Sequence, residues 1–556
     1  MGAQTDLDIG LARQLLVQAN EHWQQTSTRT IAQWAASLLL LRVSWLVIYR
    51  LYFHPLAKYP GPLFWRITIL PSLYYAWTGD RHLVVDKLHR KYGTPSRPDL
   101  LYSPTHFIKG KAMRMEPNLV SICTPNAIKS KRLDFLLARQ RSLQNLTAMY
   151  GPGTKFEKAM FYTRGPKEKQ LLVNLASTTD KTVHARKRRI ISHAMSESAI
   201  RSYEPTILNK IELFCKNLSD ANTFGGTYKN MSRWFSYLTY DIMGQLTFSQ
   251  SYDMLTKDDH HFIQPLIDSY QHSQVILGTE PKLDQWGLAP LLLLKIMAEN
   301  KKFRQYVDHQ VNSRIALEKA GRGPADIFKL LLEHKDKETG ESMDFKELSD
   351  EAVVLIIAAS DTTGTALSGL FFYLARYPEC YNKLKEEIRS QFSSAEDISG
   401  GPRLLACKYM RACVEEALRM SPGVPGFLTR EAPQGASIDG YYFAPQVQVA
   451  IPTWTMHRNP EVYPEPQIFK PERWMVDSDI ELQKLRSSYY PFSMGTRGCI
   501  GKNMAYHTIY LTIARLVYQF EIESRDELPL EFHVKDHFAA GSKDGPYLKF
   551  TRRRGA

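Results

Sequence analysis

Phe492-Ser493-Met494-Gly495-Thr496-Arg497-Gly498-Cys499-Ile500-Gly501 stands directly ahead of the apolar-periodic run NMAYHTIYLTIARLVYQF, residues 503–520. Three glycines and one arginine surround a single cysteine at the start of a helix. Glycine permits positive φ and lets a flat cofactor approach the backbone closely. Backbone N–H groups aimed at the sulfur, together with the helix dipole, favour its thiolate. An isolated cysteine beside a glycine turn is ordinarily an inert buried hydrophobe. Here the full pattern of Phe492, Gly495, Arg497, Cys499 and Gly501 outweighs that reading.

Working outward, 44% hydrophobic and 11% aromatic residues over 556 positions, with 29 tyrosines, exclude a disordered or collagen-like chain. Seventy-one basic against 57 acidic residues give a net charge of +14, which favours anionic partners. Neither zinc-finger spacing nor an aromatic RNA-binding signature accompanies the charge, so no nucleic-acid partner is expected. Six scattered cysteines without a CxxC pair read as a reducing compartment, not a disulfide framework or zinc site. Residues 31–49, IAQWAASLLLLRVSWLVIY, are apolar enough to span a bilayer even with Arg42 inside. Arg50, Lys58 and Arg66 follow that stretch and place the body on the cytosolic side. The expected organisation is a short lumenal segment over 1–30, a membrane anchor over 31–49, a Pro/Gly hinge over 50–66 containing Pro60-Gly61-Pro62, and one continuous domain over 67–556.

Helical periodicity dominates the body. Ser349 or Asp350 is a candidate cap for a long helix through VVLIIAASDTTGTALSGLFFYLARY that Pro378 ends, and MRACVEEALRM runs to Pro422. Strand character is confined to ASIDGYYFAPQVQVAIPTW, with a turn at Asp439-Gly440, and to the region around Asp544-Gly545. The fold class is therefore mainly α with small peripheral β-sheets. Three constellations stand out. Ala358-Ala359-Ser360-Asp361-Thr362-Thr363 places an acid and alcohols inside a helix, where they oppose helix propensity. Glu416 and Arg419 lie three apart on one helical face, by itself a commonplace surface pair. His184 to Arg189 is a basic run that alone reads as a solvated face.

The decamer resembles the haem-binding loop of the cytochrome P450 family at every defining position. That resemblance implies a P450-like helical fold around buried haem b, with Cys499 as proximal iron ligand and Arg497 meeting a haem propionate. Glu416 and Arg419 resemble the family's ExxR pair, and Pro471-Glu472-Arg473-Trp474 the segment whose arginine joins it. Asp361 and Thr362 resemble its oxygen-activating acid and alcohol, with Ala359 where glycine is usual. His184 and Arg188 resemble its second propionate-binding pair, with histidine replacing the usual tryptophan. The substrate walls implied are Ala358, Ala359, Val424, Phe427, Leu428 and Phe538. The chain is most similar to fungal members acting on secondary metabolites. It is expected to be an endoplasmic reticulum monooxygenase that takes NADPH electrons through a flavoprotein reductase and oxidises a lipophilic substrate with dioxygen. A haem-thiolate isomerase or dehydratase, or a haem sensor, would share Cys499; Asp361-Thr362 argues for oxygen activation.

Overall fold

The computed structural model describes residues 3–92, 112–123, 149–151, 153–164, 173–220, 223–335, 340, 342–438, 441–541 and 544–553. Its organising element is the helix Phe345–Arg376. Asp344, in extended conformation, caps it by accepting from the Glu347 backbone N–H at 2.7 Å. The helix thus begins earlier than the predicted cap. Ser349 and Asp350 lie within it, where Asp350 pairs with Arg304 at 3.1 Å and Lys346 at 2.8 Å. A carboxylate satisfied by two cations gains nothing from capping, whereas Asp344 meets an orphan N–H. At the far end Pro378, which lacks an N–H, opens the next helix, Pro378–Gln391.

The central helix packs along Met231–Phe248, nearly all of which is buried. Gly364 makes the approach possible: a Cβ there would lie 3.2 Å from the Ser236 backbone. Thr239 Oγ1 then donates across the gap to the Ser360 carbonyl at 2.9 Å. Lys408–Met420 and Lys502–Gln519 complete one continuous apolar core with them.

Small sheets lie around these helices. The largest runs, in spatial order, Ala112–Glu116, Leu119–Ile122, Gln448–Ala450, Arg430–Glu431, Glu157–Lys158; only the second and third strands pair parallel. Lys229–Asn230, Tyr547–Arg552 and Phe520–Ser524 form a second, and Lys535–His537 with Ala539–Gly541 a hairpin. Ala436–Ile438 pairs with Tyr441–Phe443 as the sequence suggested, although the Asp439-Gly440 turn itself lies outside the described residues. The molecule is mainly helical with small sheets.

The amino-terminal unit, Met1–Tyr59, is separate from the body, Pro60–Ala556. Its helix spans Ala3–Ile48 and passes into a π-helical turn, Tyr49–Phe53. From Ala3 onward the helix runs without a break into the apolar stretch long enough to cross a membrane, Thr28–Phe53, which is wider than 31–49. Helical hydrogen bonding needs no polar or apolar boundary, so it continues through both. The expected linker also ends early, because Leu63–Ile67 is already a helix of the body. The central helix is also long and apolar enough to cross a membrane but mostly buried, as a core helix is.

Candidate active site

Of the six cysteines, Cys499 alone is exposed. Its exposure is to the wall of a cavity of about 400 Å³. The loop is held by its own backbone: Cys499 N–H donates to the Phe492 carbonyl at 2.9 Å and Gly498 N–H to that of Gly495 at 3.1 Å. Gly495 has φ +68°, and a Cβ there would overlap the Tyr150 carbonyl oxygen, so glycine is obligatory on two counts. Phe492 packs on Tyr506, ring centroids 5.1 Å apart. Protein surroundings push the Cys499 thiol up, while the Gly501 backbone N–H and the charges of Arg188 and Lys502 pull it down. The rise and the exposure are compatible, because the sulfur meets a cavity on one side and protein on the others.

Arg497 fastens the loop to the start of the helix Lys181–Ala194, donating to the carbonyls of Thr178 at 2.9 Å, Thr179 at 3.1 Å and Asp180 at 3.3 Å. That helix carries His184 and Arg188 into the same cavity, and Arg188 donates to the Gly498 carbonyl at 2.8 Å. Burial, then the charges of Arg497, Lys158 and Arg188, holds His184 down at about 3. It is a neutral imidazole at pH 7.

Two further cations were not legible in the sequence. Strand pairing sets Lys158 directly opposite Arg430, and both line the cavity. Like charges facing each other across a ladder are destabilising. Burial and then Arg497 and Arg430 drive the Lys158 amine well down, and burial then Arg430 lowers Arg497 to about 10. Among the described residues none of Lys158, Arg188, Arg430 and Arg497 makes a salt bridge to a carboxylate. Four cations lining one cavity with only neutral partners constitute a site for a dianion, which the two propionates of haem fit.

Glu416 is fully buried and accepts five hydrogen bonds: from Arg419 Nε at 2.8 Å and Nη2 at 2.9 Å, Arg473 Nε at 3.1 Å, Trp474 Nε1 at 3.0 Å and the Lys470 N–H at 3.1 Å. Burial pushes its carboxyl up, but Arg419 and Arg473 more than reverse this and hold it low. Arg419 in turn donates to the carbonyls of His457 and Pro466. His457, which the sequence did not flag, accepts the Tyr490 backbone N–H on Nε2 at 3.1 Å. Its proton therefore sits on Nδ1, which donates to the Arg419 carbonyl at 3.2 Å. Burial, then Arg419 and Arg458, keeps this ring neutral, at about 3. The chain of contacts ends two residues before Phe492 and braces the cysteine loop from behind.

Thr362 lines the cavity, its Oγ1 donating to the Ala358 carbonyl at 2.7 Å. Asp361, a helical step of about 100° away, does not. It is buried against Tyr240, whose hydroxyl donates at 3.1 Å, and Gln271 Nε2, and it lines a second, polar cavity of about 620 Å³ with Asp268, Lys535 and His537. Gln271 borders both. Of the expected walls, Ala358, Val424, Leu428 and Phe538 line the first cavity. Phe427 does not: it belongs to a separate cluster with Trp65, Val85 and Met113, where its ring takes the Arg81 guanidinium at 4.5 Å. The Ala359 side chain lies outside the described residues.

One accessible thiol and, among the described residues, four cations without carboxylate partners meet in a largely apolar cavity. A family model described as Cytochrome P450 matches residues 146–546. A cytochrome P450 monooxygenase, ataY, of Aspergillus terreus is 91% identical over 210 residues, 38% of this chain and 91% of that protein. The cytochrome P450 monooxygenases poxM of Penicillium oxalicum and atnE of Emericella nidulans are 34% and 32% identical over 93% and 91% of this chain, and over 94% and 93% of their own lengths. The chain belongs to the cytochrome P450 family. It is an enzyme of the monooxygenase type, and the cofactor of that family is haem iron.

Proposed function

We propose that this enzyme inserts one oxygen atom of dioxygen into a lipophilic small molecule, as a tailoring step in a fungal secondary-metabolite route. The balance is substrate, dioxygen, NADPH and a proton giving oxidised substrate, water and NADP⁺. Electrons reach the site through a flavoprotein reductase docking on the basic surface near the cysteine loop. The helix through Thr28–Phe53 anchors the chain in the endoplasmic reticulum membrane, and the basic residues after it keep the body cytosolic. The observation carrying this reading is the convergence on one cavity of the exposed Cys499 thiol, four cations without carboxylate partners, and the Thr362 hydroxyl.

In this reading the Cys499 thiolate would hold the haem iron, with Phe492, Gly495 and Gly501 shaping its loop. Arg497, Arg188, His184, Lys158 and Arg430 hold the propionates; neutral His184 acts as a hydrogen-bond donor. Haem, when bound, supplies the activation of dioxygen, which an electron-rich thiolate favours. Thr362 Oγ1 offers a proton at the reacting face, and Asp361 replenishes it from the polar cavity behind the helix. Ala358, Val424, Leu428 and Phe538 exclude water and orient an apolar substrate.

The test is the reduced, carbon monoxide-bound difference spectrum of the membrane-expressed protein beside Cys499→Ala. The expected result is a strongly red-shifted Soret band that the substitution abolishes. Bound haem without that band in the unsubstituted protein would refute the assignment of Cys499.

A further inference from the structure

The hairpin Lys535–His537, Ala539–Gly541 separates the two cavities. Along it Lys535, His537 and Gly541 line the polar cavity, Phe538 lines the one holding Cys499, and Ala539 borders both. Phe538 sits at φ +76°, a strained conformation that a bulky residue adopts only where its surroundings impose it. Inside the cavity its ring stacks on Phe161 at 6.0 Å and meets Tyr162 edge-on at 6.1 Å. Three aromatic rings thus close one side of the cavity, and the position of Phe538 depends on what pins the hairpin.

The pin is the corner Gly79-Asp80-Arg81. The Gly79 carbonyl accepts from the Asp536 N–H at 2.7 Å, and Asp80 pairs with Lys535 at 2.9 Å. The backbone bond is buried, and the Asp80–Lys535 pair is half-exposed. The buried side-chain contact is Arg81, 3% exposed, facing Asp536, 2% exposed, at 3.7 Å. Arg81 also donates to Thr279 Oγ1 at 2.8 Å and covers the Phe427 ring. Asp536 Oδ1 accepts the Phe538 N–H at 3.4 Å, so the same carboxylate touches the latch and the strained residue. Arg81 Nε and Asp536 Oδ2 make no hydrogen bond to each other or to any other described group. The pair is therefore held by charge at a distance beyond hydrogen-bond length, which makes it separable, yet burial makes its loss costly.

We propose that Arg81 is a specificity-determining residue: its buried guanidinium latches the Phe538 hairpin over the cavity, and releasing the latch admits bulkier ligands. This rests on the reading of the cavity as the substrate site. Arg81 touches no substrate; it acts through Asp536 on Phe538.

Two measurements on the full-length protein in nanodiscs test it. In hydrogen–deuterium exchange without added ligand, amides of 536–541 exchange about tenfold faster in Arg81→Met than in the parent, with Arg81→Lys between, while those of Tyr547–Arg552 are unchanged. In stopped-flow binding, clotrimazole associates about fivefold faster with Arg81→Met and imidazole within about twofold of the parent, because only the bulky azole needs the hairpin displaced. Asp536→Asn, which removes the charge and keeps an acceptor for Phe538, moves both readouts the same way and serves if Arg81→Met does not fold. Unchanged hairpin exchange in the folded variants would overturn the latch. Faster exchange with both azoles altered equally, or neither altered, would overturn its role in specificity. Should the carbon monoxide test fail for Cys499, the exchange measurement still decides the latch, since it needs no haem.

Discussion

Replacing Glu416 by alanine removes the acceptor for five donors at a site with no access to water. Breaking a buried ion pair from one side costs about 3–5 kcal/mol, since the remaining charge stays buried and unpaired. The stranded Trp474 indole and Lys470 backbone N–H groups add roughly 1–3 kcal/mol each, not fully additively. A loss of about 5 kcal/mol or more is comparable with the whole stability of many folded proteins, about 5–15 kcal/mol. Glu416→Ala should therefore give no soluble haem-loaded protein. Glu416→Gln keeps an acceptor oxygen and should lower urea-unfolding stability by about 3 kcal/mol, a factor of over 100 in the folded ratio. Glu416→Gln combined with Arg419→Met should lose less than the sum of the two single losses, because the second change removes the stranded cation. The assay is equilibrium urea unfolding followed by the Soret band and by tryptophan fluorescence. Glu416→Ala within 1 kcal/mol of the parent, or strictly additive double-variant losses, would refute the claim that this network holds the cysteine loop.

Three further outcomes follow from the geometry. Thr362→Ala removes the only hydroxyl that residue 362 offers the cavity, so NADPH oxidation should continue while most reducing equivalents appear as hydrogen peroxide, measured against product formed; unchanged coupling would exclude Thr362 from proton delivery. Gly495→Ala, at φ +68° against the Tyr150 carbonyl, should cost about 2 kcal/mol or more and deplete haem, read in thermal melts and haem content. Burial raises the Glu116 carboxyl to about 7, against the pull of Ser72 and Arg81. The folded state thus prefers it protonated, and its contribution, about 3 kcal/mol at most, is full below pH 4.5 and lost as pH rises through about 7. Glu116→Gln should melt with the parent at pH 5 and above it at pH 8; parallel curves across that range would contradict this.

What could be read in advance was local. The cysteine loop declares itself because its requirements fall within ten residues: positive φ at Gly495, a helix start after Gly501, a cation at Arg497. Glu416 and Arg419 were visible as an i,i+3 pair, but not their burial, which depends on Trp474, Lys470 and Arg473 returning more than 50 residues later. Lys158 and Arg430 were invisible for a stronger reason, since two-residue strands 272 or more positions apart have no periodicity to detect, and pairing alone makes them neighbours. Phe427 misled because Val424 and Leu428 on either side do line the cavity. The isolated bridge from Phe427 to Pro452 turns that one side chain into the cluster around Trp65. Asp344 was overlooked as a cap because Ser349 and Asp350 look equally suitable without knowing that Arg304 and Lys346 already occupy Asp350.

The two arginine-rich regions use their charge in opposite ways, and the difference lies in the choice of partner. Around Glu416 two guanidinia, those of Arg419 and Arg473, share one buried carboxylate, and the resulting network is braced and remote from the cavity. Around Cys499 the guanidinia of Arg497 and Arg188 are satisfied by backbone carbonyls, which fill donor sites and fix geometry without cancelling charge. A carboxylate in place of the Thr178 or Gly498 carbonyl would anchor the loop more strongly and would also repel an anionic cofactor from the position it should occupy. Burial of uncancelled charge is unfavourable in the protein alone, as the depressed Lys158 and Arg497 indicate. That cost is recovered when an anion of matching charge arrives. Haem binding and the stability of the cysteine loop are therefore one coupled equilibrium, and stripping haem should loosen Arg497 and Arg188 first while leaving the Glu416 network standing.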